Sequence, residues 1–265
     1  MRRLFPMLLL LLLAACGGPK SDGVQLNVFA AASLQEPLSE IGAAYEQAHP
    51  GVALVFHFDS SGTLKTQIQE GAECDLFLSA GQKQMDQLDV TAGPDANPEG
   101  LDFVDPETRF DLLENKVVLA VPAGNPLNLQ SFENLKTALE TGDVLLAIGN
   151  RDVPVGQYTQ RIFDYYGLNE DALAHCLTYG SNAKEVTTQV SEGTVDAGIL
   201  YATDAAAAAL EIAGTATPEM CGRVIYPAAV MTCGINQGGA KDFLDFLRAG
   251  AAKEVFERAG FTPLG

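Results

Sequence analysis

Short apolar runs alternate with amphipathic stretches along the chain after residue 23. Runs 24–30, 52–58, 75–79, 116–122, 144–148, 176–179, 195–201 and 224–232 are dense in Val, Ile, Leu, Phe and Ala. Such near-continuous apolar runs are expected of strands buried on both faces. Between them, 34–48, 63–72, 82–88, 131–139, 155–166, 182–192, 202–210 and 240–259 carry apolar residues three and four apart, the helical period. Gly71, Gly193 and Gly260 stand at the ends of helical stretches, where a left-handed residue is cheapest. The alternation predicts right-handed βαβ units and an α/β fold with mostly parallel sheets flanked by helices.

Three junctions between strand and helix share a chemistry. Val28-Phe-Ala-Ala-Ala-Ser-Leu34 passes from strand to helix at Ser33, and Ser33-Leu-Gln-Glu36 has the spacing of a capping box. The run 52–58 ends in Asp59-Ser60-Ser61-Gly62-Thr63, and the run 144–148 leads to Pro154-Val155-Gly156. Asn182-Ala-Lys-Glu185 repeats the capping spacing. One such corner is only a capped helix. Several together predict an anion site, because helix N-termini present unpaired N–H groups and partial positive charge.

The stretch 90–114, rich in Pro, Gly and Asp, separates a first βα group from a second. Runs 116–122 and 224–231 read as the segments that cross between two lobes, with the last helix returning to the first lobe. This gives lobe I as 24–115 and 229–265, and lobe II as 116–228. Ligands of open α/β sheets sit beyond the carboxyl ends of the strands, so the cleft between lobes is the expected site.

At the start of the chain, Arg2 and Arg3 precede leucines 8–13 and then Ala14-Ala15-Cys16-Gly17. The apolar run is shorter than the ~18 residues of a spanning helix. Residues 1–15 read as a signal peptide ending in a bacterial lipobox, with Cys16 as the lipidated residue and 16–23 as a flexible tether. The expected location is extracytoplasmic, anchored by lipid to a bacterial membrane. Net charge is −18, and loss of Arg2 and Arg3 with the leader makes it −20. Such acidity excludes nucleic acid and anionic lipid surfaces as partners. It leaves room for a buried anion held by oriented N–H and O–H dipoles. Beyond Cys16 stand Cys74, Cys176, Cys221 and Cys233. The last two flank a strand whose extended length holds them ~40 Å apart, beyond disulfide reach. No CxxC pattern or His cluster accompanies them, so no direct metal ligand set and no cofactor are expected.

Five segments together resemble one family. They are Phe29-Ala-Ala-Ala-Ser-Leu34, Phe58-x-Ser-Ser61-x-Thr-Leu64, Gly71-Ala-x-x-Asp-Leu-Phe-Leu-Ser-Ala80, Val153-Pro-x-Gly156 and Gly193-x-x-Asp-Ala-Gly-Ile-Leu-Tyr201. Thr108-Arg109 with Leu112-Leu113-x-Asn115, and the ending Glu257-x-x-Gly260-Phe261, fit the same pattern. In order and over nearly the whole mature chain they resemble the periplasmic molybdate-binding proteins of bacterial ABC importers. The resemblance implies a type II periplasmic binding-protein fold, two α/β lobes closing on a tetrahedral dianion. It implies a monomer that hands molybdate, and tungstate with it, to an ABC transporter permease. It also implies an oxyanion held by neutral donors: the hydroxyls of Ser33 and Ser61, the backbone at Val155 and Ala183, and the phenol of Tyr201. Val155 replaces the family's usual Ala and Gly62 a third Ser, which bears on preference among molybdate, tungstate and sulfate.

Three rival readings are weaker. A ferric-ion binder of the same fold would use adjacent tyrosines, and Tyr165-Tyr166 is such a pair, although Ile162, Phe163 and Tyr166 follow a core-facing helical period. A hydrolase would combine Ser33 or Ser61 with His57 and Asp59, but the G-x-S-x-G elbow is absent. A lipid-anchored adhesion module would not need donor-rich corners aimed at one point. The chain is therefore expected not to be an enzyme.

Overall fold

The computed structural model describes residues 23–264, so the leader and Cys16 lie outside the described residues. Its strands are β1 (Val24–Ala31), β2 (Val52–Asp59), β3 (Leu76–Leu78), β4 (Phe110–Asn115), β5 (Val117–Val121), β6 (Leu146–Gly149), β7 (Leu177–Gly180), β8 (Ala197–Tyr201), β9 (Glu211–Thr215), β10 (Val224–Val230) and β11 (Thr262–Pro263). The helices are α1 (Gln35–Ala48), α2 (Ser61–Gln69), α3 (Gln82–Asp86), α4 (Phe132–Thr141), α5 (Pro154–Tyr166), α6 (Ala183–Ser191), α7 (Ala202–Ala207), α8 (Pro218–Cys221), α9 (Gln237–Leu247) and α10 (Gly250–Arg258). Two sheets result, ordered β11-β4-β10-β3-β1-β2 and β7-β6-β8-β5-β9.

Each sheet has a parallel part made by βαβ units. β1 runs parallel to β2 and β3, and β6 runs parallel to β7 and β8. The strands next to the crossings are antiparallel: β10 against β3 and β4, β5 against β8 and β9. A strand that arrives directly from the other sheet needs no crossover helix, so parallel pairing is not imposed on it.

Strands β5, β8 and β10 are buried at every residue, as their apolar runs demand. Neighbouring residues feed opposite faces, with Val28 and Ala30 in one apolar cluster and Phe29 in another. In the first lobe, Leu38, Ile41, Phe243, Leu247 and Phe256 cover one face, and Leu64, Ile68 and Met85 the other. In the second, Leu135, Ile162 and Phe163 oppose Val186, Val190 and Ala205.

Three features differ from the sequence expectation. The strand cut at 228/229 stays whole, since β10 pairs from Val224 to Val230 with the first sheet; the return crossing therefore lies just before Val224. The helical stretch 240–259 is two helices, because Ala249 is extended (φ −81°, ψ 161°) and heads α10. The apolar period survives the break because Phe243, Leu247 and Phe256 enter one cluster. Finally, β4 lies inside the stretch read as loop, and Arg223 beside it clamps Glu114 with two hydrogen bonds of 2.9 and 2.6 Å. That clamp joins the two chain crossings.

Candidate functional site

The carboxyl ends of the parallel strands and the helix starts after them meet between the lobes. They enclose a cavity lined by Ala31, Ala32, Ser33, Asp59, Ser60, Ser61 and Ala80 on one side and Val153, Pro154, Ala183 and Tyr201 on the other. Four of the five residues singled out from the sequence line it directly. The fifth, Val155, follows the lining pair Val153 and Pro154.

Ser33 is not the helix cap that its spacing suggested. Ala32–Leu34 forms a single 3-10 turn ahead of α1, and no side chain caps it. The tighter turn aims the Ser33 hydroxyl at the sheet, where Oγ lies 3.0 Å from the Tyr226 phenol oxygen. Glu36, freed from any capping role, pairs with Lys184 of the other lobe at 3.1 Å.

Ser61 is the first residue of α2 and fully buried; the cap is Ser60, whose Oγ accepts the Thr63 N–H at 3.1 Å. The Ser61 Oγ accepts the Ala80 N–H at 2.9 Å. Its own proton is therefore free for another acceptor. Asp59 Oδ1 accepts the Ser60 N–H at 2.6 Å and so occupies that backbone donor.

The α5 corner begins with Pro154, which has no N–H, so Val155 supplies the first free backbone donor of that helix end. The Val155 side chain is fully buried and packs toward Gly149, away from the cavity. Its branching therefore does not narrow the pocket. Gly156 makes this corner possible, since a Cβ there would lie 2.0 Å from the Asn150 carbonyl oxygen.

Ala183 opens α6 behind Asn182, whose Oδ1 accepts the Glu185 N–H at 3.0 Å and leaves the Ala183 N–H uncommitted. Tyr201 ends β8, 1 % exposed, and its hydroxyl donates to the Ala80 carbonyl at 3.4 Å. The Tyr158 and Tyr226 rings meet it edge-on at 6.4 and 5.7 Å. Burial pushes the Tyr201 phenol well above its ordinary pKa, so it remains a proton donor.

The lining thus offers hydroxyl and backbone donors, one carboxylate that bonds its own Ser60 N–H, and no Lys or Arg. Lys184 reaches Glu36 at the rim, and Arg151 turns outward to Glu170 and Asp171. Such a shell suits a small, fully deprotonated anion. The cavity measures about 10 Å³, room for about one water. That is less than a four-oxygen anion occupies, so binding one requires the lining to move apart.

Of the rival residues, His57 and the Tyr165-Tyr166 pair do not line this cavity, whereas Asp59 does. His57 is exposed on β2 and packs on the Phe29 ring at 4.7 Å. The hydroxyls of Ser33 and Ser61 are engaged by Tyr226 and Ala80, so neither faces a histidine base. Tyr165 and Tyr166 sit at the far end of α5, about 18 Å from its first turn by helical rise, and Tyr165 is 55 % exposed. Cys74, Cys176, Cys221 and Cys233 are all free thiols, with Cys233 Sγ 3.6 Å from the Cys74 carbonyl oxygen.

Residues 26–262 match the family model of the bacterial extracellular solute-binding proteins. The chain belongs to this family. Its members bind solutes for transport, and the protein is a solute-binding protein, not an enzyme. The molybdate-binding protein of Escherichia coli is 33 % identical over 255 residues, which span 94 % of this chain and 93 % of that one. Among solved structures, the periplasmic molybdate-binding protein of Azotobacter vinelandii superposes with a TM-score of 0.75 at 21 % identity, covering 91 % of this chain and 100 % of that one. The sulfate-binding protein SubI of Mycobacterium tuberculosis superposes with a TM-score of 0.72 at 19 % identity, covering 91 % and 87 %. At those identities the two structures show the shared two-lobed fold alone.

Sequence reasoning missed Ala80 and Tyr226, which orient the serine hydroxyls. Ala80 closes a motif already noticed, Leu-Phe-Leu-Ser-Ala80, so that signal was within reach. Tyr226 lies within an apolar strand and carries no local mark of its role.

Proposed function

We propose that this solute-binding protein captures molybdate, and tungstate with it, outside the cytoplasmic membrane and delivers it to an ABC permease. The donors are the hydroxyls of Ser33, Ser61 and Tyr201 and the backbone N–H groups at Val155 and Ala183. Cys16 carries the lipid that holds the protein to the membrane, and the protein acts as a monomer. The observation that carries this reading is the set of hydroxyl and backbone donors that line the cavity from both lobes. A dianion without protons accepts from each of these donors. The E. coli relative, named for molybdate, supports the choice of anion.

Calorimetric titration of residues 17–265 with molybdate, tungstate and sulfate tests the assignment. Tight binding of the first two with sulfate far weaker is the expected result. Preference for sulfate would move the substrate within the oxyanion class, and no oxyanion binding would remove the reading. Labelling with radioactive palmitate in a bacterial host, lost in Cys16→Ser, tests the anchor.

A further inference from the structure

Behind Ser33 lies a chain of three buried side chains joined by hydrogen bonds. The Asn115 Oδ1 accepts the Lys116 N–H at 2.8 Å, which fixes the amide orientation. Its Nδ2 must then face the other way, where it donates to Thr203 Oγ1 at 2.9 Å and to the Tyr226 hydroxyl at 3.2 Å. An amide nitrogen has no acceptor capacity, so the phenol oxygen is the acceptor in that contact. The single phenol proton is then available to Ser33 Oγ at 3.0 Å. When Tyr226 donates, Ser33 accepts and its own proton is left for the cavity that it lines.

We propose that Asn115 and Tyr226 are positioning residues that set Ser33 as a hydrogen-bond donor toward the bound oxyanion. The proposal rests on the functional reading above and adds how the site discriminates. A free serine hydroxyl either donates or accepts, and so serves a protonated anion as well as a bare one. Held as an acceptor from Tyr226, Ser33 greets the ligand with its proton, and an anion carrying its own O–H meets two protons aimed at each other. The Ala80 N–H does the same for Ser61 through the backbone. The side-chain version is the one that can be removed by mutation. Asn115 is 4 % and Tyr226 1 % exposed, so water does not supply a substitute partner.

A double-mutant cycle tests the relay. Wild type, Tyr226→Phe, Ser33→Ala and the double variant are titrated calorimetrically with sodium molybdate, with a thermal melt of each. Tyr226→Phe is expected to weaken binding about tenfold in the wild-type background and by less than about twofold when residue 33 is already Ala. Equal losses in both backgrounds would assign Tyr226 a merely structural role and overturn the relay. Sodium phosphate at pH 6, where the anion carries protons, gives a second readout: Tyr226→Phe should narrow the ratio of molybdate to phosphate affinity, and an unchanged ratio would also overturn it. If Tyr226→Phe melts below the assay temperature, Asn115→Ala carries the same cycle with the same two outcomes. Failure of the wild type to bind molybdate would instead remove the functional reading on which the relay rests.

Discussion

Gly62 of the first lobe faces Asp152 of the second so closely that a Cβ on Gly62 would lie 2.3 Å from the Asp152 carbonyl oxygen. The contact is backbone against backbone, with no flexible side chain to yield. A side chain at 62 therefore forces one of the two segments to shift. Gly62→Ala is expected to weaken molybdate binding by roughly 1–3 kcal/mol, the usual range for an overpacked contact. The melting temperature without ligand should change little, because each lobe keeps its own core. Titration beside small-angle scattering checks this, and a full-affinity variant would show that the two segments do not meet in the bound form.

Ser61 makes a sharper prediction about the site itself. Ser61→Ala removes one hydrogen bond to a charged ligand, worth roughly 1–3 kcal/mol of binding. It also strips the Ala80 N–H of its acceptor, so a loss of about 1 kcal/mol in unfolding free energy should accompany it. An unchanged dissociation constant would place the oxyanion elsewhere.

Asp204 gives the fold a pH signature. It is 6 % exposed, its Oδ2 has no hydrogen-bond partner, and burial raises its carboxyl to about 7, with Lys184 lowering and Glu36 raising it further. In the unfolded chain the same group titrates near ~3.9. Between these values the folded state holds a proton that the unfolded state has released, so this group makes stability fall as pH rises through the window. Asp204→Asn should leave stability at pH 4 unchanged and raise it at pH 8 by roughly 2–4 kcal/mol. Urea titrations at the two pH values check the difference.

Arg109 holds the loop after α3 in place. Its guanidinium bonds Asp86 and Asp89, and the Asp89 side chain is only 2 % exposed. Burial would raise the Asp89 carboxyl, but bonds from Thr91 and Arg109 outweigh it and hold it below its ordinary value. That stabilisation is present above the unfolded pKa and is lost as pH falls through the folded one. Arg109→Ala should destabilise the fold by roughly 3–5 kcal/mol at pH 7, since it leaves a buried carboxylate unpaired. The deficit should shrink in acid, which denaturant midpoints at pH 7 and pH 3 would reveal.

The site was legible in the chain to the extent that it is built from local signals. Ser61, Ala183 and Val155 sit at helix starts that small polar residues, Asn182 and Pro154 announce, and Tyr201 ends an unbroken apolar run. What escaped was set by distance along the chain. Whether Ser33 caps its own helix or bonds Tyr226 depends on a partner 193 residues away. The return crossing lies earlier than the 228/229 boundary because a buried apolar run carries no mark of which sheet receives it. The split between α9 and α10 was hidden because both helices keep one apolar period over one core. β4 was hidden by the acidic residues Asp111 and Glu114 within it, which suit a sheet margin and read as loop.

The position of β10 between β3 and β4 has a consequence for how the protein is made. The second sheet is one continuous piece, 117–215, and has all its strands as soon as that piece emerges. The first sheet lacks a central strand until Val230 has been synthesised. The first half of the chain therefore cannot complete its sheet before the last quarter arrives. The last quarter of the chain thus supplies the strand that joins both ends of the first sheet.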